Sequence, residues 1–133
     1  MERYTNITIS ILLIIVGVIN FLPVIGVLSA ETLSGAYSVD LIGNDIVILM
    51  RHRALLFGVV GGFILYSVFK PSYQSAAIVM AAISMLGFLY FVWAAGDYNA
   101  SMSKIAIIDL VGNICLAIVA TLKYASRNSH AAL

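Results

Sequence analysis

Residues 44–70 read NDIVILMRHRALLFGVVGGFILYSVFK, and whether this stretch crosses a membrane decides how many times the chain does. Counted from Arg53 to Lys70, the uncharged run is short of the roughly 20 helical residues needed to span about 30 Å of hydrocarbon. It becomes long enough when the helix starts just after Asn44-Asp45, a sound N-cap pair, and carries Arg51-His52-Arg53 within its first two turns. Outward from it, three further windows are wide enough. No side chain is charged between Arg3 and Glu31 or between Lys70 and Asp97, and only Asp109 is charged between Lys104 and Lys123. The sequence therefore predicts an all-α integral membrane protein, an up-down four-helix bundle with spans at about 7–29, 46–69, 73–96 and 105–122, forming a single domain over 1–133.

Composition agrees. Of 133 residues 62% are hydrophobic and 10% charged, against about a quarter charged in soluble domains. Seven basic and six acidic residues leave a net charge of +1, which excludes the basic footprint of a nucleic-acid binder. The single cysteine, Cys115, excludes an intrachain disulfide framework and any multi-cysteine metal site. Val27-Leu28-Ser29-Ala30 offers small residues after an apolar run, as a signal-peptide cleavage site would. The apolar run is longer than such a peptide uses and Leu28 is badly placed for a cut at Ala30, so the segment is read as a span.

An even number of crossings puts both termini and the Lys70-Pro71 turn on one side, with Arg3, Lys70, Lys123 and Arg127. The other side holds Lys104 among Glu31, Asp40, Asp45 and Asp97. The positive-inside rule then expects cytoplasmic termini, in a bacterial inner membrane. The segment from Glu31 to Asp45 is expected to be a loop lying on the outer surface.

Small residues at four-residue spacing mark faces that pack closely. Gly58 and Gly62 form such a pair in the second span, Ala77 and Ala81 in the third, and Gly112 lies on the inner stripe of the fourth. These faces serve either a monomeric bundle or, through Gly58 and Gly62, a homodimer or larger membrane complex. Pro23 within the first span removes a backbone donor and predicts a kink between Asn20 and Gly26.

Charges inside a span cost about 2.5–3.5 kcal/mol at its centre and call for a reason. Arg51 is expected on the packed face with Gly58 and Gly62, and Arg53, about 160° round the helix, is expected to snorkel to headgroups. Asp109 shares an inward stripe with Gly112 and Asn113. An Arg51–Asp109 pair completed by Asn113 and Asn20 is the expected polar site, either as glue fixing helix register or as a pocket in which Arg51 holds an anionic head and Trp93 and Tyr90 an apolar tail. His52 with Asp109 is the arrangement that could relay a proton.

No Walker loop, GxGxxG, HExxH, CxxC or GxSxG is present, so nucleotide chemistry, zinc proteolysis, thiol exchange and hydrolysis lose their signatures. No catalytic residue, cofactor or metal is expected, and membrane lipid is the expected partner. The residues Leu49-Met50-Arg51-His52-Arg53-Ala54-Leu55-Leu56-Phe57-Gly58, with Asn20-Phe21-Leu22-Pro23 and Asp97-Tyr98-Asn99, resemble a family of small bacterial four-span membrane proteins with an RHRAxxFG-like segment in the second helix. Members sometimes carry the label phosphopantetheine adenylyltransferase. Soluble enzymes of that kind resemble an α/β nucleotide-binding domain with a Gly-His motif near the start, and this chain has neither the motif nor room for the sheet. The resemblance implies membrane location and topology and no reaction. The expected function is a small-ligand or lipid binder or an accessory subunit; the alternative is a membrane enzyme or proton-coupled carrier acting on a lipid-like or quinone-like molecule through His52 and Asp109.

Overall fold

The computed structural model describes the backbone of residues 2–131 and the side chains of residues 3–125. The elements are α1 (Glu2–Phe21), α2 (Ala30–Tyr37), α3 (Asn44–Phe69), α4 (Gln74–Ala95) and α5 (Ala100–Ala131), with 3-10 segments at Leu22–Val27 and Pro71–Tyr73. Four stretches, Arg3–Val27, Asn44–Phe69, Pro71–Ala95 and Ala100–Ala125, are long and apolar enough to cross a membrane. The decisive stretch is one continuous helix that takes Arg51-His52-Arg53 inside it, as its length requires.

Local chemistry sets the breaks. α1 stops at Phe21 because Pro23 has no N–H to give and its ring crowds the preceding turn, so the expected kink takes the form of a 3-10 segment from Leu22 to Val27. The expected surface loop after it is instead helical from Ala30. Ser29 sits in extended backbone and its Oγ accepts the Thr32 N–H at 3.0 Å, which starts α2. Leu33 and Tyr37, four residues apart, put two buried side chains on one face of α2. α2 ends at Ser38, in the left-handed region at φ 51°, whose N–H returns to the Ser34 carbonyl. Gly43, at φ 91°, then turns the chain into α3, so the cap position falls one residue before the expected Asn44. α5 begins earlier than expected because Asn99 Oδ1 accepts the Met102 N–H at 2.9 Å. Its backbone also continues beyond 122, through the polar segment whose His130 side chain lies outside those described.

Spans adjacent in sequence are adjacent in space: α1 packs on α3, α3 on α4, α4 on α5, and α5 closes the ring on α1. Leu13, Val16, Ile64, Ala77, Ala81, Met85, Leu116 and Val119 form the buried centre. Outside lies an apolar coat that includes Ile14, Val18, Leu55, Val59, Ile83, Ile107, Val111 and Ile114. In lipid no hydrophobic force drives such helices together, so close van der Waals contact must hold them. Small residues provide it. A methyl group at Gly112 would come within 2.7 Å of Met85 Sδ, and one at Gly61 within 2.6 Å of the Phe21 Cα. Ala77 and Ala81 are fully buried. The stripe on α3 is shifted from its expected place. Gly58 packs within the chain against Val24, Gly61 takes the closest backbone approach, and Gly62 meets nothing nearer than Phe21 Cε2 at 3.9 Å.

Candidate functional site

Asn20 lies in α1's last turn, just before the break at Pro23. Asn20 is 2% exposed there, and its Nδ2 donates to the Val16 carbonyl at 3.0 Å. That bond fixes which end of the amide is which, and Oδ1 is left buried with no hydrogen-bond partner among the described residues. An unsatisfied buried acceptor costs about 1–3 kcal/mol.

Beside Asn20 is a cavity of about 360 Å³. The first span contributes Ile19, Asn20, Pro23, Ile25 and Gly26, α2 contributes Thr32, Leu33, Ala36 and Tyr37, α3 Arg53 and Phe57, α4 Phe88, and α5 Ile105, Ile108 and Asp109. Each of the five helices supplies a wall, and the wall is apolar apart from a few polar groups, the usual constitution of a small-molecule site.

Arg53 is the organising cation. Its guanidinium carbon lies 5.2 Å from the Phe57 ring centre, 5.5 Å from that of Tyr37 and 5.9 Å from that of Phe88. Rings from α2, α3 and α4 thus surround one charge, an arrangement in which ring quadrupoles replace part of its hydration. Snorkelling to headgroups is not what this side chain does, because α2 and α4 occupy the side to which helical geometry directs it. Asp109 stands on the same cavity wall.

Arg51 and Asp109 are not brought together. Arg51 does turn toward the first span, as its position on the Gly58 side implies, but it is exposed and its Nε donates to the Val27 carbonyl at 2.8 Å. That carbonyl ends the 3-10 segment and lacks an onward helical partner, so Arg51 serves it as a C-terminal cap. His52 is exposed and outside the cavity wall, so no His52–Asp109 relay is assembled. Asn113 uses its Nδ2 on its own helix, donating to the Asp109 carbonyl at 2.9 Å, and also stands outside the wall. Trp93 is 78% exposed, with Tyr90 beside it at 6.3 Å between ring centres. The aromatic wall of the cavity comes from Tyr37, Phe57 and Phe88 instead. Among the described residues no group of three His, Cys, Asp or Glu side chains could hold a metal.

α2 is the piece that sequence reasoning missed, and with it the cavity. The signals were Ser29 three residues before Thr32, and the Leu33/Tyr37 spacing. α2 is fastened at its far end. Asn99 Nδ2 donates to the carbonyls of Tyr37 at 2.9 Å and Ser38 at 3.1 Å, and Ser38 Oγ and Ser101 Oγ are 2.8 Å apart. The residues that start α5 therefore also hold the helix that covers the cavity.

No family model matches the chain, and neither a curated protein nor a solved structure matches it.

Proposed function

We propose that this chain is a non-enzymatic, multi-pass protein of a bacterial inner membrane that binds a small lipid-like molecule in the cavity between α2 and the four spans. The observation that carries this reading is the cavity of about 360 Å³, on whose wall stand Asn20, with a buried and unpartnered amide oxygen, and an arginine held among rings. Hydrophobic enclosure with a few fixed polar groups is what an amphiphilic ligand requires. Its position at the end of the bundle opposite Lys70 gives it access from the extracytoplasmic leaflet, with both termini cytoplasmic, as the basic residues Arg3, Lys70, Lys123 and Arg127 support. Membrane lipid is the nearest source of such a molecule.

Native mass spectrometry from mild detergent tests the proposal, comparing the protein with Ala36→Trp. Ala36 is an exposed residue of the cavity wall, so the larger side chain fills space without displacing the bundle core. The expected result is a co-purifying small molecule on the original protein that is lost from the variant. A ligand-free spectrum for both, or equal occupancy in both, rejects the cavity as a binding site. The same spectra report whether the chain is a monomer, a homodimer or part of a larger complex.

A further inference from the structure

The polar groups of the cavity narrow the chemistry of its ligand. Charge comes first. Arg53 and Asp109 are one basic and one acidic group on one wall, and the Arg53 guanidinium is already engaged by three rings. An anionic head would meet Asp109 as well as Arg53, and a cationic head would meet Arg53 as well as Asp109. In a low-dielectric enclosure either like-charge approach is costly, so the wall as a whole favours an uncharged molecule.

Hydrogen-bond polarity comes next. Asn20 cannot satisfy its oxygen by turning its amide over, because Nδ2 is committed to the Val16 carbonyl at 3.0 Å. The buried Oδ1 is an acceptor that only a donor can complete. The Asp109 side chain on the cavity wall offers acceptor oxygens too. A ligand that donates therefore gains what one that only accepts cannot. Shape comes last: three of the lining residues, Tyr37, Phe57 and Phe88, are aromatic, and aromatic side chains favour a flat ring by stacked or edge contact.

We infer that the ligand is an uncharged, ring-headed amphiphile of phenol type, its hydroxyl donating to Asn20 Oδ1 and its ring lying against Phe57 and Phe88. This rests on the ligand-binding reading of the cavity. It excludes the anion-holding role that Arg51 carries in the sequence, since Arg51 is on the Val27 carbonyl and outside the cavity.

Four probes of similar length test it on the full chain in phosphatidylcholine nanodiscs, with partition into protein-free nanodiscs subtracted: 4-hexylphenol, its methyl ether 4-hexylanisole, 4-hexylbenzoate and 1-octanol. The phenol is expected to bind saturably, one per chain, and about tenfold tighter than the ether, the value of one buried hydrogen bond. Benzoate and octanol should each bind more weakly than the phenol. In Asn20→Leu the phenol should lose its advantage while the ether keeps its affinity. Equal binding of phenol and ether by the original protein overturns the donor argument, whether or not the variant folds. Tightest binding by benzoate overturns the charge argument, and octanol equal to phenol overturns the ring. If no probe binds saturably while mass spectrometry finds a small molecule that Ala36→Trp lacks, the inference fails alone. If mass spectrometry also finds none, the binding reading fails with it.

Discussion

Around Leu13, Ile64, Ala81 and Leu116 the four spans meet through small residues and fully buried aliphatics, whereas around Arg53 the same spans, with α2 laid over them, enclose about 360 Å³. The dense region has Gly61 against the Phe21 backbone and Gly112 against Met85. The hollow region has instead a broken helix, a proline and bulky rings close to one charge. One set of helices thus separates two tasks. Close packing in one half supplies association energy that lipid does not, and the other half is free to keep imperfectly satisfied polar groups.

The strongest way to break that contrast is to put bulk into the dense half. Gly61→Val places a branched side chain where even one methyl group meets backbone atoms of Phe21, and backbone cannot yield as a side-chain tip can. A loss of about 3 kcal/mol or more is expected, at the upper end for overpacking, read as failure to recover monodisperse protein in detergent. Gly62→Val, with its nearest neighbour at 3.9 Å, should be recovered nearly as well as the original. Equal damage from both would mean that the α1–α3 contact does not pivot on Gly61.

Asn99→Ala acts on the hollow half. It removes two donations to α2's C-terminal carbonyls and the cap of α5 together. At about 1 kcal/mol for each net bond, the cover should loosen by about 2–3 kcal/mol while the dense half stays closed. Hydrogen exchange should therefore quicken across Ala30–Tyr37 and at the start of α5, and remain unchanged for Leu13, Ile64 and Leu116. Uniform acceleration would show the two halves to be one cooperative unit.

How much of this was legible depends on the physics behind each element. The four spans were readable because membrane thickness sets a length that charges such as Arg3, Glu31, Lys70 and Asp97 punctuate. Asn20, Asp109, Gly112, Ala77 and Ala81 could also be singled out, since intramembrane polarity and small-residue spacing are properties of one helix. The partners were not. Helical angle correctly set Arg51 and Arg53 on different sides of α3, but what lies on each side depends on α2, a helix of eight residues too short for hydropathy to reveal. With α2 read as a loop, Arg53 had only lipid before it and Arg51 had Asp109. With α2 in place Arg53 has Tyr37 and Phe88, and the carbonyl freed after Pro23 claims Arg51.

A smaller effect of opposite sign sharpens the contrast further. Asn20→Leu removes the buried Oδ1 that has no partner, and the lost Nδ2 bond goes to a carbonyl within α1 itself. The ligand-free protein should gain about 1 kcal/mol in thermal unfolding, although a polar residue has been deleted. A polar-to-apolar change that stabilises is the mark of a site kept for binding rather than for folding. A clear loss of stability would instead make Asn20 part of the structural frame.

The smallest expected effect concerns the start of α2. Ser29 Oγ accepts the Thr32 N–H at 3.0 Å and lies 2.8 Å from Thr32 Oγ1, so Ser29→Ala strips the helix of its N-cap and leaves every cavity residue in place. Cap losses of this kind cost about 0.5–2 kcal/mol, and an exposed site such as this belongs near the lower end. Because α2 remains held at Ser38 by Asn99, the fraying should be confined to its first turn, with faster exchange at Ala30, Glu31 and Thr32 and none of the change at Tyr37 that Asn99→Ala produces. Fraying that reached Tyr37 would mean that α2 opens as a single piece, and the cover of the cavity would then be hinged at Ser29 rather than fastened at Asn99.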